Sequence, residues 1–331
     1  MPVDNDHWRE TLNVKERPQY DQMMNEPRVN TLSKKLIIGV APAGLFLDKD
    51  AFPKVPSNPR EIVQAAKASF DAGATLIHVH CKREDGVMSV DPDLTVDTIR
   101  AIQECCPGVA ISGNVAHFKD EADRKLFEAP LKEIVKRAPD VFDTYTIQTA
   151  TRVIFKVTKS GLIDQIRCLE DYGIKPEIQC PTLHGMLQLK EWVLDHDVIK
   201  MPPPFVNVHL GKVESIPITV GEPMSTRLLL DSLELLPRDA ARGVFACGRN
   251  WLPVTTVALT QGVDFIRVGH DDIAYMYPHK DELAETSADM VKKIVRIATE
   301  LGIEIATAAE ARQILGLRQV KTTERALVPE R

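Results

Sequence analysis

The sequence predicts a single α/β domain of the TIM (β/α)8 barrel type, and three observations point there. Eight short apolar runs recur along the chain, a turn and an amphipathic stretch follow them, and the two kinds of segment alternate strictly. In chain order the strand candidates are "KKLIIGVAPA" (34–43), "ATLIHVH" (74–80), "GVAISGNV" (108–115), "VFDTYTIQT" (141–149), "KPEIQC" (175–180), "FVNVHLG" (205–211), "GVFACG" (243–248) and "DFIRVG" (264–269). The intervening stretches carry helix signals. "NPREIVQAAKASFDAG" (58–73) opens on Asn58 as N-cap, has Pro59 in its first turn and stops at Gly73, and "SGLIDQIRCLEDYG" (160–173) also stops on a glycine. Parallel strands need a crossover between them, which such alternation supplies, and eight units in a little under 270 residues is barrel-sized. A doubly wound open sheet is the alternative. Its usual nucleotide signatures, G-x-G-x-x-G after the first strand and G-x-x-x-x-G-K-[ST], do not occur.

The barrel is expected over residues 34–318, after a polar N-terminal arm (1–33) that packs on the outside or against a partner subunit, and before a C-terminal tail (319–331). At 331 residues and 44% hydrophobic the chain can bury a large core. A net charge of −6 argues against nucleic-acid and membrane-surface partners. With no apolar leader region and no run of 18 apolar residues, a soluble cytoplasmic protein is expected. Six cysteines without C-x-x-C, two of them vicinal at Cys105 and Cys106, are expected as reduced thiols.

In a barrel of this type the chemistry sits at the C-terminal ends of the strands. Strand 2 ends in His78-x-His80, and side chains two apart share a face, so both imidazoles can converge on one divalent ion. Strand 8 ends in "RVGHDD", which offers His270, Asp271 and Asp272 as further ligands; the competing reading of the two acids is a helix N-cap. Arg267, a charge inside a barrel strand, needs a partner, and Asp272 is a candidate. Ser112 and Asn114 end strand 3 in "SGN", while Glu177, Asn207 and His209 interrupt apolar strands. Cys81 faces away from the two histidines and is expected to pack.

The segments "IIGVAPAG", "AGATLIHVHCKREDG", "KPEIQC" and "GRNWLPVTTVALTQGVDFIRVGHDD" resemble the β-keto acid cleavage enzymes from about residue 36 to 315. The resemblance implies a TIM barrel, a zinc ion held by His78, His80 and Asp271, and a substrate-activating group of Arg267, Asp272 and Ser112. It further implies a homo-oligomer, tetramer or dimer, and a retro-Claisen exchange of a β-keto acid with acetyl-CoA that gives acetoacetate and a new CoA ester. Asn114, Glu177 and Asn207 would line the substrate. Two departures stand out. The third metal ligand in the family is usually Glu, so with Asp271 either the backbone moves in or a water or His270 fills the gap. The loop after strand 1 usually carries an acid two residues past its glycine, whereas Gly44 is followed here by Leu45 and Phe46, which would line a pocket for a neutral substrate tail.

Two other readings compete. A metal-dependent amidohydrolase also has an H-x-H in a barrel, but on its first strand and with Lys or His ligands on strands 4 and 5. A non-catalytic barrel could hold a metal or ligand as a sensor or scaffold.

Overall fold

The structure, a computed structural model, describes residues 18–44, 47–50, 52–114, 121–149, 157–211 and 226–320. Eight parallel strands close into a barrel in sequence order: β1 (Ile37–Val40), β2 (Leu76–Val79), β3 (Ala110–Gly113), β4 (Thr144–Gln148), β5 (Lys175–Cys180), β6 (Phe205–Leu210), β7 (Ala241–Ala246) and β8 (Phe265–Val268). The closure is the pairing of β8 with β1, with Arg267 opposite Gly39. The observed strands sit inside the expected runs, with β7 starting two residues earlier than "GVFACG" suggests.

Helix ends follow local chemistry. The helix Pro59–Asp71 begins with Asn58 accepting from the Glu61 amide at 2.9 Å, and Lys159–Asp171 begins with Thr158 accepting from the Gly161 amide. Both caps satisfy amides that have no partner within the helix. The last helix (Ala308–Ile314) has a capping box of Thr307 and Glu310. In the N-terminal arm, where no period is legible, residues Pro18–Met24 form a short helix.

Alternation along each strand divides the interior in two. Outward side chains such as Ile38, Val40, Ile77, Ile111, Ile178 and Val206 form the main core against the helices. Inward side chains at the N-terminal end, Ile37, Leu76, Ala110, Phe205, Ala241 and Phe265, make an apolar floor that Ala311, Leu315 and Leu317 seal from below. Arg312 reaches into this floor and grips Asp143 with both terminal nitrogens, at 2.8 and 2.7 Å, while Asp143 also accepts from the Ile111 amide. A bidentate pair with its remaining acceptor satisfied is a tolerable way to bury two charges. The floor therefore bears on stability, and the polar side chains collect in the layers above it. Among the described residues no helix is long and apolar enough to cross a membrane, and all six cysteines are free thiols.

Candidate active site at the barrel mouth

His78 and His80 are buried, 1% and 3% exposed, and their Nε2 atoms lie 3.1 Å apart. Asp271 joins them, with Oδ2 3.4 Å from His80 Nε2. What brings it there is the chain after β8. Gly269 takes φ +130°, and a side chain on it would collide with the Ala41 carbonyl, so only glycine allows the chain to turn so tightly over β1. The turn docks the Asp271 amide on that carbonyl at 3.2 Å. This turn sets Asp271 against the two histidines. His270 points elsewhere, with Nε2 3.0 Å from the Ala284 carbonyl and Nδ1 against Ser287, and burial pushes its pKa down. The helix-cap reading of the two acids also fails, because the next helix starts only at Ser287.

A buried chain of hydrogen bonds sets the tautomer of His78. Glu177, fully buried on β5, accepts from Ser112 Oγ (2.6 Å), Thr144 Oγ1 (3.0 Å) and Asn207 Nδ2 (2.8 Å). Having given its proton to Glu177, Ser112 Oγ must accept from His78 Nδ1 at 3.0 Å, so the lone pair of His78 lies on Nε2, facing His80 and Asp271. Burial raises the Glu177 pKa, while Ser112, Arg267, Thr144 and Asn207 favour its charge. Burial also pushes the Asp271 carboxyl up, but His80, Arg267 and His78 outweigh it and hold that carboxyl well below the usual range.

These donors fit a divalent ion. Bonds of about 2.0–2.1 Å in a tetrahedral arrangement put ligand atoms about 3.3 Å apart, near the 3.1 and 3.4 Å found here. The second nitrogen of one imidazole is anchored, as metal-bound histidines usually are. Two imidazoles and a carboxylate suit zinc or a neighbouring transition metal better than magnesium or calcium.

Arg267 stands beside this cluster, 3% exposed, with its guanidinium 3.9 Å over the Phe245 ring. Its Nη2 donates to Asp271 Oδ2 at 3.1 Å and also to Asp272 Oδ2, whereas Nη1 is buried with no hydrogen-bond partner. Burial opposes its charge, and Asp272, Asp271 and Glu177 restore it.

A barrel with an H-x-H cluster at its mouth has several relatives by shape, so the comparison with known sequences decides between them. The profile of the family described as beta-keto acid cleavage enzyme matches residues 35–317. The chain belongs to that family. Among its relatives, the 3-keto-5-aminohexanoate cleavage enzyme of Acetoanaerobium sticklandii is 31% identical over 289 residues, covering 86% of this chain and 99% of that protein. The 3,5-dioxohexanoate:acetyl-CoA acetone transferase of Paraburkholderia graminis is 26% identical over 311 residues, covering 88% of this chain and 98% of that protein. In fold the chain is similar to ObcA in its binary complex with oxaloacetate, at TM-score 0.63 and 18% identity, covering 81% of this chain and 68% of that one. As a β-keto acid cleavage enzyme the chain is a C–C bond-cleaving acyltransferase. The amidohydrolase alternative also lacks its ligands: the H-x-H is on β2, and Lys175 on β5 lies at the opposite end, donating to the Met201 carbonyl at 2.7 Å.

Of the remaining sequence candidates, Asn114 lines a small pocket with Cys81, Phe142 and Tyr145, away from the histidines, and Leu45 and Phe46 lie outside the described residues. Cys81 packs in the outer core, and burial raises its pKa to about 11. Several residues at the mouth went unnoticed in the sequence. Thr144 completes the Glu177 shell. Lys82, 5% exposed, has its pKa lowered by burial while Asp271 and Asp48 support its charge. Counting in twos from His80 and from Phe245 would have flagged Lys82 and Cys247.

Proposed function

We propose that this chain exchanges the acyl group of a β-keto acid with acetyl-CoA: R–CO–CH2–COO⁻ and acetyl-CoA become acetoacetate and R–CO–CoA. The acyl and acetyl groups trade places between the CH2COO⁻ fragment and sulfur, so no oxidant or water is consumed. The observation that carries this reading is the convergence of His78, His80 and Asp271 next to a buried arginine with an uncommitted Nη1.

His78, His80 and Asp271 would hold the ion, zinc by ligand chemistry. When bound, it supplies Lewis-acid stabilisation of negative charge on the keto acid's oxygens. The chain's own residues do the rest. Arg267 Nη1 is the donor offered to a substrate oxygen, and a buried guanidinium aimed in advance at developing charge is worth far more than one in water. Asp272, held on one oxygen by Arg267 Nη2, takes and returns the proton at the carbon that changes partners. Ser112 and Glu177 keep His78 in the ligating tautomer. Lys82 offers its positive charge to the substrate carboxylate. Asn207 supports Glu177, and the Leu45–Phe46 loop belongs to the substrate side, favouring a neutral, aliphatic tail; Asn114, in its separate pocket, has no part in this reading. Homo-oligomeric assembly and a cytoplasmic location complete the reading; Met23, Met24 and Val29 in the N-terminal arm are 76%, 67% and 67% exposed, as expected of a segment that packs on a second subunit.

The test is a panel of β-keto acids with acetyl-CoA, following acetoacetate by coupled reduction and the new CoA ester by mass spectrometry. Equal amounts of both products are expected, lost on chelation and restored by zinc. Keto acid consumed at the same rate without acetyl-CoA would overturn the exchange.

A further inference from the structure

The barrel mouth carries a second set of metal-ligating side chains, which the exchange reaction leaves unused apart from one acid. His209 is the last inward side chain of β6, and Cys247 follows the end of β7, two residues past inward-facing Phe245. The Cys247 amide donates to the Leu210 carbonyl at 2.8 Å, which keeps the two strand ends together beyond the regular ladder. His209 Nε2 lies 3.1 Å from Cys247 Sγ. Asp272 completes the group, with one ligand atom from each of the three residues within 4.8 Å of the others. The Asp272 carbonyl is pinned by the Gly248 amide at 2.9 Å, so the backbone on both sides of the cluster is fixed.

The two consecutive acids thus face different ways. Asp271 turns to His78 and His80, Asp272 turns to His209 and Cys247, and Arg267 Nη2 sits between the carboxylates as a shared donor. We propose that His209, Cys247 and Asp272 form a second site for a thiophilic divalent cation of the zinc class, separate from the His78–His80–Asp271 site and weaker than it.

The donor set selects the ion. Imidazole, thiolate and carboxylate are the three zinc ligand types, and a sulfur ligand disfavours magnesium, calcium and manganese. Bonds of about 2.3 Å to sulfur and 2.0 Å to nitrogen put those atoms about 3.5 Å apart, so the observed pair needs to open only slightly. Filling the site releases the thiol proton to solvent and leaves a fourth position for water. The Arg267 guanidinium contacts both acids but lies closer to Asp272 than to Asp271, so it repels a cation at this site more strongly, which makes this the weaker site. Filling it also draws Asp272 away from Arg267. If Asp272 is the acid–base group of the proposed exchange, excess zinc stops turnover; this one consequence rests on that reading, and the site itself does not.

Cobalt(II) provides a probe independent of activity, because a cobalt–thiolate bond gives a near-ultraviolet charge-transfer band that a His-His-Asp site lacks. Metal-free protein is titrated anaerobically with Co²⁺, and bound metal is counted by equilibrium dialysis. The first equivalent should bring visible absorption alone and the second the near-ultraviolet band. Cys247→Ser should lose the band and the second equivalent while keeping the first, and His209→Gln should bind the second at least tenfold more weakly. Saturation of the wild type at one equivalent, or a band that persists in Cys247→Ser, overturns the proposal. Should Cys247→Ser fail to fold, Cys247→Ala and His209→Gln carry the same comparison. In a parallel assay, zinc beyond the first equivalent should inhibit the wild type and spare Cys247→Ser. Two bound equivalents with undiminished turnover would leave the site standing and remove Asp272 from the exchange mechanism.

Discussion

Gly44→Ala tests the first metal site without touching any ligand. Gly44 does not adopt a left-handed conformation, so alanine is allowed there by the backbone. Its methyl, however, would lie 1.6 Å from Asp271 Oδ1, 2.4 Å from Cγ and 2.6 Å from the Asp271 Cα. Ordinary contact begins at about 3.4 Å, so the carboxylate must retreat by about 1.8 Å. Metal–oxygen distances tolerate about 0.2 Å, so a shift of that size removes Asp271 as a ligand. Outer-shell changes alone typically cost 10–100-fold in metal affinity, so displacing a ligand should cost about 100-fold or more, or at least about 2.7 kcal/mol. The overpacking itself costs about 1–3 kcal/mol of folding stability, a fall of roughly 2–5 °C in Tm for a domain of this size. The assay is zinc competition against a chromogenic chelator, with thermal melts of metal-free protein alongside. Gly302→Ala is the control: it strains a φ of +73° with nothing within 4 Å of the new methyl, so it should lower Tm and leave zinc affinity alone. A Gly44→Ala protein that folds and binds zinc within threefold of wild type would refute Asp271 as a ligand.

Three further expectations follow from the geometry. Asp272→Asn should lower kcat by about 100-fold or more, the scale of lost acid–base catalysis, while Tm changes little because Asp271 still accepts from the same Arg267 nitrogen; a large fall in Tm with less than a tenfold loss of rate would make the pair structural. Ser112→Ala frees His78 Nδ1 from its fixed proton and should weaken zinc by about 10–100-fold, measured by the same chelator competition, and an unchanged affinity would separate Glu177 from the metal site. Lys35, with the Thr307 amide and hydroxyl, lowers the Glu310 pKa from 4.5 to about 2, so its stabilising contribution is present above about pH 4.5 and lost as pH falls toward 2. The Tm gap between wild type and Glu310→Gln should therefore be widest near neutral pH and close by pH 2; a gap independent of pH would rule out the charge as its cause.

Short-range periodicity carries much of this fold in the order of residues alone. The eight strands, their order, and the shared face of His78 and His80 all follow from alternation within a few residues, and so does the burial of Arg267 in β8. The Arg267–Asp272 pair was legible too, because the partners are five residues apart and a buried guanidinium requires one. The contacts that barrel closure creates have no such signature in the order of residues. Ser112 meets His78 across 34 residues and Glu177 across 65, and Arg312 meets Asp143 across 169. Hydropathy assigns each side chain to the inside or the outside but does not say how high in the barrel it stands, which depends on the stagger between strands set when the eight close. The role of "HDD" was undecidable for the same reason. Whether its acids cap a helix or turn inward depends on the Gly269 turn docking over β1, a strand more than two hundred residues earlier, and that docking sent Asp271 to the histidines, Asp272 toward Cys247 and His270 away from both.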